Sequence, residues 1–245
     1  MEPAGAFEPP AETHPVPAEA HHPPDHHPDT RERLLQAAER LFAARGLRGT
    51  TVRDVTREAG TNLAAVNYHF GTKDGLALEV FRRRITPINE ERLHRLRVAE
   101  ERAGGGPVPV EELVRGLLEP ALLLDEEEDP VLPGLLSRFA HESHPELLEQ
   151  MRAQLREVLH PYLAAFRRSL PALDPTELRL RIHFLAGAMI HTVSHLGWLD
   201  LSGVPGEPPP ERRAVLEALV RFCTDGFQAG PSGTLHPTPQ REPGA

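Results

Sequence analysis

The sequence predicts an all-α fold, and three observations carry that prediction. Apolar residues recur at helical period through almost the whole interior of the chain. Proline or glycine stands in most of the gaps between these runs, for example at Pro107, Pro130, Pro145, Pro171, Pro175 and Pro208. No stretch alternates apolar and polar residues as a half-buried strand does, and neither βαβ spacing nor a repeat period is visible.

Residues 1–28 hold eight prolines and five histidines with almost no large apolar group. Such a segment cannot bury enough surface to offset its ordering entropy, so a disordered tail is expected. Its His21, His22, His26 and His27 are read as polar filler, because a mobile tail holds no fixed metal geometry. Thr30 is a candidate N-cap for a helix through Arg45, with Leu34, Leu35, Ala38, Leu41 and Phe42 on one face and Gly46 as its stop. Thr51 opens a short helix with Val52, Val55 and Ala59 inward, closed by Gly60, and another covers Leu63 to Phe70. A long helix is expected from Lys73 toward Arg102, ended by Gly104, Gly105, Gly106 and Pro107. Further helices are expected near 110–124, 131–141, 145–169, 175–199 and 209–228. The resulting division is a tail at 1–28, a three-helix unit at 29–75, a helical body at 76–229 and a second tail at 230–245.

The 245 residues, 39% hydrophobic and 26% charged, suit one or two globular domains. The net charge of −9 is unevenly spread: residues 29–95 carry 13 basic against 9 acidic groups, the remainder 14 against 27. A mildly basic segment on an acidic body is the polarity of a protein that presents one end to a polyanion. The lone cysteine, Cys223, excludes an intramolecular disulfide and any Cys-based zinc site. No run approaches the ~20 apolar residues that span a bilayer, and no secretory signal opens the chain. A cytoplasmic protein with no membrane partner is therefore expected. Catalytic signatures are absent (no G-x-S-x-G, G-K-[ST] loop, H-E-x-x-H or dinucleotide fingerprint), so neither an enzyme nor a cofactor is expected. The acidic run from Asp125 to Asp129 reads as a solvated helix end or loop.

The informative stretch runs from Thr50 to Lys73. Two helices of about two turns, broken by Gly60-Thr61-Asn62, have the dimensions of a helix-turn-helix. Val55, Val66 and Phe70 supply the apolar contact between them, which leaves Leu63, Ala64, Asn67 and Tyr68 on the opposite or flanking surface. The run G60-T-N-L-A-A-V-N-Y-H-F-G-T-K-D-G-L76 resembles the recognition helix and following turn of the TetR family of bacterial transcription regulators. The segment R31-E-R-L-L-Q-A-A-E-R-L-F-A-A-R-G46 and the bridge Gly46-Leu47-Arg48-Gly49-Thr50-Thr51 are similar to that family's first helix and connection. Asn67 departs from the pattern, standing where an apolar residue is usual.

The roles follow from chemistry. Thr51 offers a hydroxyl and free amides at a helix start, a seat for phosphate, with Arg53 beside it. Lys73, the only lysine, occupies the place of the family's phosphate-binding lysine, and Tyr68 and His69 can reach backbone oxygens. Asn67 can pair with adenine; Leu63, Ala64 and Ala65, behind Asn62, can meet thymine methyls in the major groove. Each has a plainer alternative: Thr51 a cap, Tyr68 a packed core aromatic, Lys73 a solvated charge.

One recognition helix touches few base pairs, so a palindromic double-stranded DNA operator calls for two. The 175–199 helix, with Gly187 and Ala188 for close approach, and the 209–228 helix are the candidate dimer faces. The second presents either Val215, Leu219, Phe222 and Cys223, or Leu216, Val220, Cys223 and Phe227. The resemblance implies a homodimer and a body that encloses a small apolar effector. The candidate lining is Phe81, Phe139, Met151, Leu155, Phe166, His183, His191 and Trp198, aromatic and Met groups suited to an adaptable cavity. His191 and His195 have chelating i, i+4 spacing, and His141 and His144 lie in H-E-S-H, yet with no acidic companion at that spacing no metal site is expected. The sum is a ligand-responsive repressor; the alternative is an all-α enzyme or adaptor with a resembling three-helix segment.

Overall fold

Short polar side chains set the frame of the N-terminal unit. In the computed structural model Thr51, Asn62 and Thr72 each precede a helix in extended conformation and accept a hydrogen bond from an amide of its first turn. Gly60, at φ 63°, closes the first of these helices in the left-handed region that L side chains rarely adopt. The structure describes residues 28–123, 135, 138–139, 143–195, 208 and 210–230. Among them are eight helices and no strand: α1 Pro28–Arg45, α2 Val52–Ala59, α3 Leu63–Phe70, α4 Lys73–Arg102, α5 Val110–Leu122, α6 Pro145–Ser169, α7 Pro175–Ser194 and α8 Arg212–Gln228. The all-α expectation holds.

The expected bounds of α2, α3, α4 and α6 match. The first helix begins at Pro28, two residues before the expected cap. Thr30 is therefore not an N-cap: it is buried in the first turn, its hydroxyl oxygen accepting from Arg33 at 3.3 Å. The expected tail at 1–28 lies outside the described residues but for Pro28, as do 231–245, the Asp125–Asp129 run, His141 and Trp198. Of the expected 131–141 helix, Leu135, Arg138 and Phe139 are described, and all three are helical.

Helices α1, α2 and α3 pack on one another, and α1 and α3 pack on α4. Leu34, Ala38 and Phe42 meet Val55, Val66, Leu76, Ala77 and Val80 in a fully buried cluster. Helix α4 continues out of this unit into the body, where it packs on α5 and α6; α5 also lies against α7 and α8. The two parts are thus joined by one continuous helix and by aromatic contacts: Phe139 meets Phe42 of α1 at 6.5 Å and Phe81 of α4 at 5.7 Å, both edge-on. Deeper in the body Phe166 stacks on Phe227 at 4.6 Å.

Candidate nucleic-acid interface and ligand cavity

Helix α3 divides its residues cleanly. Ala65 and Val66 are buried against the cluster, while Leu63 (48% exposed), Ala64, Asn67 and Tyr68 (62% exposed) form the outer face. This face offers an amide, a phenol and small apolar groups, the set that reads base edges and thymine methyls. Ala65 is a correction: at 1% exposure it packs inside the three-helix unit and cannot meet a base. Asn62 caps α3, its side-chain oxygen accepting from the Ala65 amide at 3.0 Å. His69 is half-buried, its ring 5.0 Å from that of Tyr68.

The phosphate-facing candidates are more constrained than the sequence suggests. Thr51 forms a reciprocal box with Asp54: its hydroxyl and its amide donate to the carboxylate at 2.6 and 3.0 Å, and the Asp54 amide donates back to the hydroxyl oxygen at 3.2 Å. Those bonds from Thr51 pull the Asp54 carboxyl down to about 2. The α2 N-terminus therefore already holds an anion of its own, and the Thr51 side chain is first of all a cap. Lys73 donates from Nζ to the Leu47 carbonyl, tying the start of α4 to the α1–α2 turn. Arg53 is exposed on α2.

Much of the local positive charge is spent inside the protein. Arg31 pairs with Glu79, Arg83 with Glu32 at 2.7 Å and Glu39 at 3.3 Å, Arg84 with Glu39 at 2.7 Å, and Arg40 with Glu58 at 3.1 Å. These pairs strap α1 to α4 and α2. The hydrogen bond from Arg83 holds the Glu32 carboxyl below the usual range. Four of the arginines in residues 29–95 thus serve the packing of this unit, while the excess of basic over acidic groups there, 13 against 9, is untouched by pairs internal to it.

The body encloses a cavity of about 380 Å³. Phe81, Ile85, Ile88 and Arg92 of α4 form one wall; Phe139, Leu148, Met151, Leu155, Met189, Ile190 and Val193 supply others, with Arg152 and His183 exposed at the rim. Of the expected lining, Phe81, Phe139, Met151, Leu155 and His183 are brought together. Phe166 is not: it is fully buried and stacked on Phe227. His191 is not either, being exposed on α7 with its ring stacked on His195 at 4.7 Å. Gly187 faces open space. No group of three metal-ligating side chains occurs among the described residues.

Arg92 was missed. It extends the apolar stripe Phe81, Ile85, Ile88 by one step of i, i+4, so an arginine in a buried register was the signal. The segment holding Phe139 also reaches the N-terminal unit, since Arg138 donates to the Ala43 and Ala44 carbonyls at 2.9 and 3.2 Å. A second link crosses the same boundary: His144, ahead of α6, is 3.0 Å from Asp74 of α4 and 2.9 Å from Glu146.

Two family models match, "Bacterial regulatory proteins, tetR family" over residues 34–80 and "Tetracyclin repressor-like, C-terminal domain" over 115–226. The chain belongs to the TetR family. Its two matched segments cover the helix-turn-helix and most of the body, so an enzyme or adaptor with a merely resembling segment is not favoured. Among curated TetR-type relatives, the transcriptional repressor KstR2 of Mycolicibacterium smegmatis is 44% identical over 52 residues, 21% of this chain and 25% of that protein. The repressor AcnR of Corynebacterium glutamicum is 33% identical over 91 residues, 37% of this chain and 42% of the relative. The chain thus matches about a quarter of the length of KstR2. The fatty acid degradation regulator FadR of Bacillus halodurans superposes with a TM-score of 0.60 at 15% identity, covering 80% of this chain and 95% of that one. FadR of Bacillus subtilis, solved with stearoyl-CoA, gives 0.57 at 15% identity over 80% and 98%. These superpositions establish a shared fold. No helix among the described residues is long and apolar enough to cross a membrane.

Proposed function

We propose that this TetR-family chain is a ligand-responsive repressor that binds a palindromic operator as a homodimer and is released by a small apolar effector. The observation that carries the reading is the continuity of α4. The helix starts at Lys73, at the foot of the α3 recognition face, and its residues Phe81, Ile85, Ile88 and Arg92 wall the cavity. An occupant that displaces this wall moves the recognition unit. Phe139 and Arg138 carry the same displacement to α1. The stearoyl-CoA bound by the FadR neighbour is in keeping with an effector that has an apolar body.

Leu63, Ala64, Asn67 and Tyr68 read bases, with Asn62 and His69 at the two ends of that face. Arg53 meets phosphates beside the capped start of α2 at Thr51, and Lys73 orders the turn next to them. Dimerisation uses the α7–α8 face, where Phe184 (64% exposed), Phe222 (72% exposed) and Leu180 stand out beside Gly187 and Gly226, at which an added methyl would meet nothing. The inward face of α8 is Leu216, Val220, Cys223 and Phe227, which leaves Phe222 for a partner. The reading places the protein in the cytoplasm, with DNA.

Selection from a random duplex library tests it. The expected product is a palindrome whose half-sites are spaced by a helical turn, about 34 Å, or a multiple of it. Recovery of no common sequence would reject the reading.

A further inference from the structure

Arg92 is the anomaly of the cavity. It is only 5% exposed, yet among the described residues no carboxylate pairs with it. Its Nε donates to the Leu117 carbonyl at 2.9 Å, one terminal nitrogen to Asn89 Oδ1 at 3.2 Å and the other to the Met189 thioether at 3.1 Å. A guanidinium has five N–H donors, so one hydrogen on each terminal nitrogen remains, and a thioether is a weak acceptor. A buried cation without a counter-charge is costly to a fold, and such groups are normally paired. Burial draws its pKa down to about 10, which still leaves it charged at neutral pH.

Its position says what completes it. Arg92 lines the 380 Å³ cavity and also a smaller one of about 90 Å³ behind it, the two sharing Leu155, Met189 and Ile190. Apart from Arg92, the interior wall is apolar, with Phe81, Ile85, Ile88 and Met151 foremost. We infer that the cavity is built for an organic acid, an apolar body carrying a single carboxylate that takes the place of the Met189 thioether on the Arg92 guanidinium. The inference rests on the effector reading above and gives that effector its chemical class. A carboxylate suits the fork because two oxygens meet the two terminal nitrogens in one plane. A phosphate would bring a second charge and a third oxygen, and among the described residues the cavity has no second buried cation to receive them. Met189 is unbranched and adaptable, so its sulfur can retreat without disturbing the helix.

The test compares decanoic acid with decanamide, 1-decanol and decyl phosphate by calorimetric titration of the full chain. Decanoate is expected to bind about 10- to 100-fold more tightly than the amide or the alcohol, the worth of charge-assisted hydrogen bonds left unmade by a neutral head. In Arg92→Met that preference is expected to vanish, and in Arg92→Lys, which keeps the charge but not the fork, to survive in part. If Arg92→Met fails to fold by circular dichroism, the wild-type series decides, together with the Arg92 Nε–H resonance, which decanoate should shift and decanamide should not. Equal binding of acid and amide, tighter binding of decyl phosphate, binding of none of the four, or a preference that survives in Arg92→Met each overturns the inference. Release of the selected operator, followed by anisotropy in parallel, separates this from the effector reading. Decanoate bound through Arg92 with operator retained refutes the effector reading alone. Release by 1-decanol as effective as by decanoate refutes the acid alone.

Discussion

Replacing Gly116 by alanine tests how tightly the wall behind Arg92 is packed. A β-carbon at Gly116 on α5 would lie 2.6 Å from the Tyr162 hydroxyl oxygen, well inside van der Waals contact. Tyr162 cannot retreat: it is 1% exposed, and its hydroxyl donates to the Arg92 carbonyl at 2.9 Å. Overpacking of this kind costs about 1–3 kcal/mol, and losing the hydrogen bond adds roughly 1 kcal/mol. The helix itself gains up to about 1 kcal/mol from alanine over glycine. The net expectation is a destabilisation of about 1–3 kcal/mol, read from the urea midpoint at unchanged m-value. Tyr162→Phe removes the clashing oxygen, and the next ring atoms stand at 3.5 and 3.7 Å, ordinary contact. In that background Gly116→Ala should become neutral or stabilising, so the double-mutant cycle reverses the sign of one arm. Additive single effects, or a Gly116→Ala that stabilises the wild type, would show that Tyr162 is not fixed where the structure has it.

Four further outcomes are expected. Asn67→Ala should lose about 1–3 kcal/mol of discrimination at one base pair per half-site, while Arg53→Ala should weaken all duplexes alike and lower the salt slope by roughly one per subunit; anisotropy titrations on selected and random DNA measure both. The Asp74 carboxylate, and after it Glu146, raises the His144 pKa above its usual 6.5. The His144 link is thus fully present below pH 6.5 and fades as pH rises through the raised value; an NMR titration midpoint at or below 6.5 would contradict it. Phe222→Asp should convert a dimer to monomer in light scattering at unchanged helicity, and a dimer that persists would move the interface elsewhere.

The helix-turn-helix was legible in the sequence because its determinants are local. Thr51, Asn62 and Thr72 satisfy amides within their own first turns, Gly60 supplies a left-handed turn, and the 3.6-residue period sorts Val66 inward from Asn67 outward. Period and capping chemistry need no knowledge of distant residues. The family resemblance rested on this same local run. What the charges do was not local. The basic balance of residues 29–95 reads as an end presented to a polyanion, but Arg31, Arg83 and Arg84 pair with Glu79, Glu32 and Glu39 on facing helices, and a partner 45 or more positions away is invisible in a linear pattern. The same holds for the cavity. Phe166 and Phe139 have equal claims as residue types, and only packing put one on Phe227 and the other between Phe42, Phe81 and empty space. Ala65 looked like its neighbour Ala64, and only the packing of the three-helix unit buried it. Arg92 reads as one arginine among 26 in the sequence. Its register on the Phe81, Ile85, Ile88 stripe hinted at burial, but only tertiary structure left it without a carboxylate partner among the described residues, because pairing is set by which helices meet.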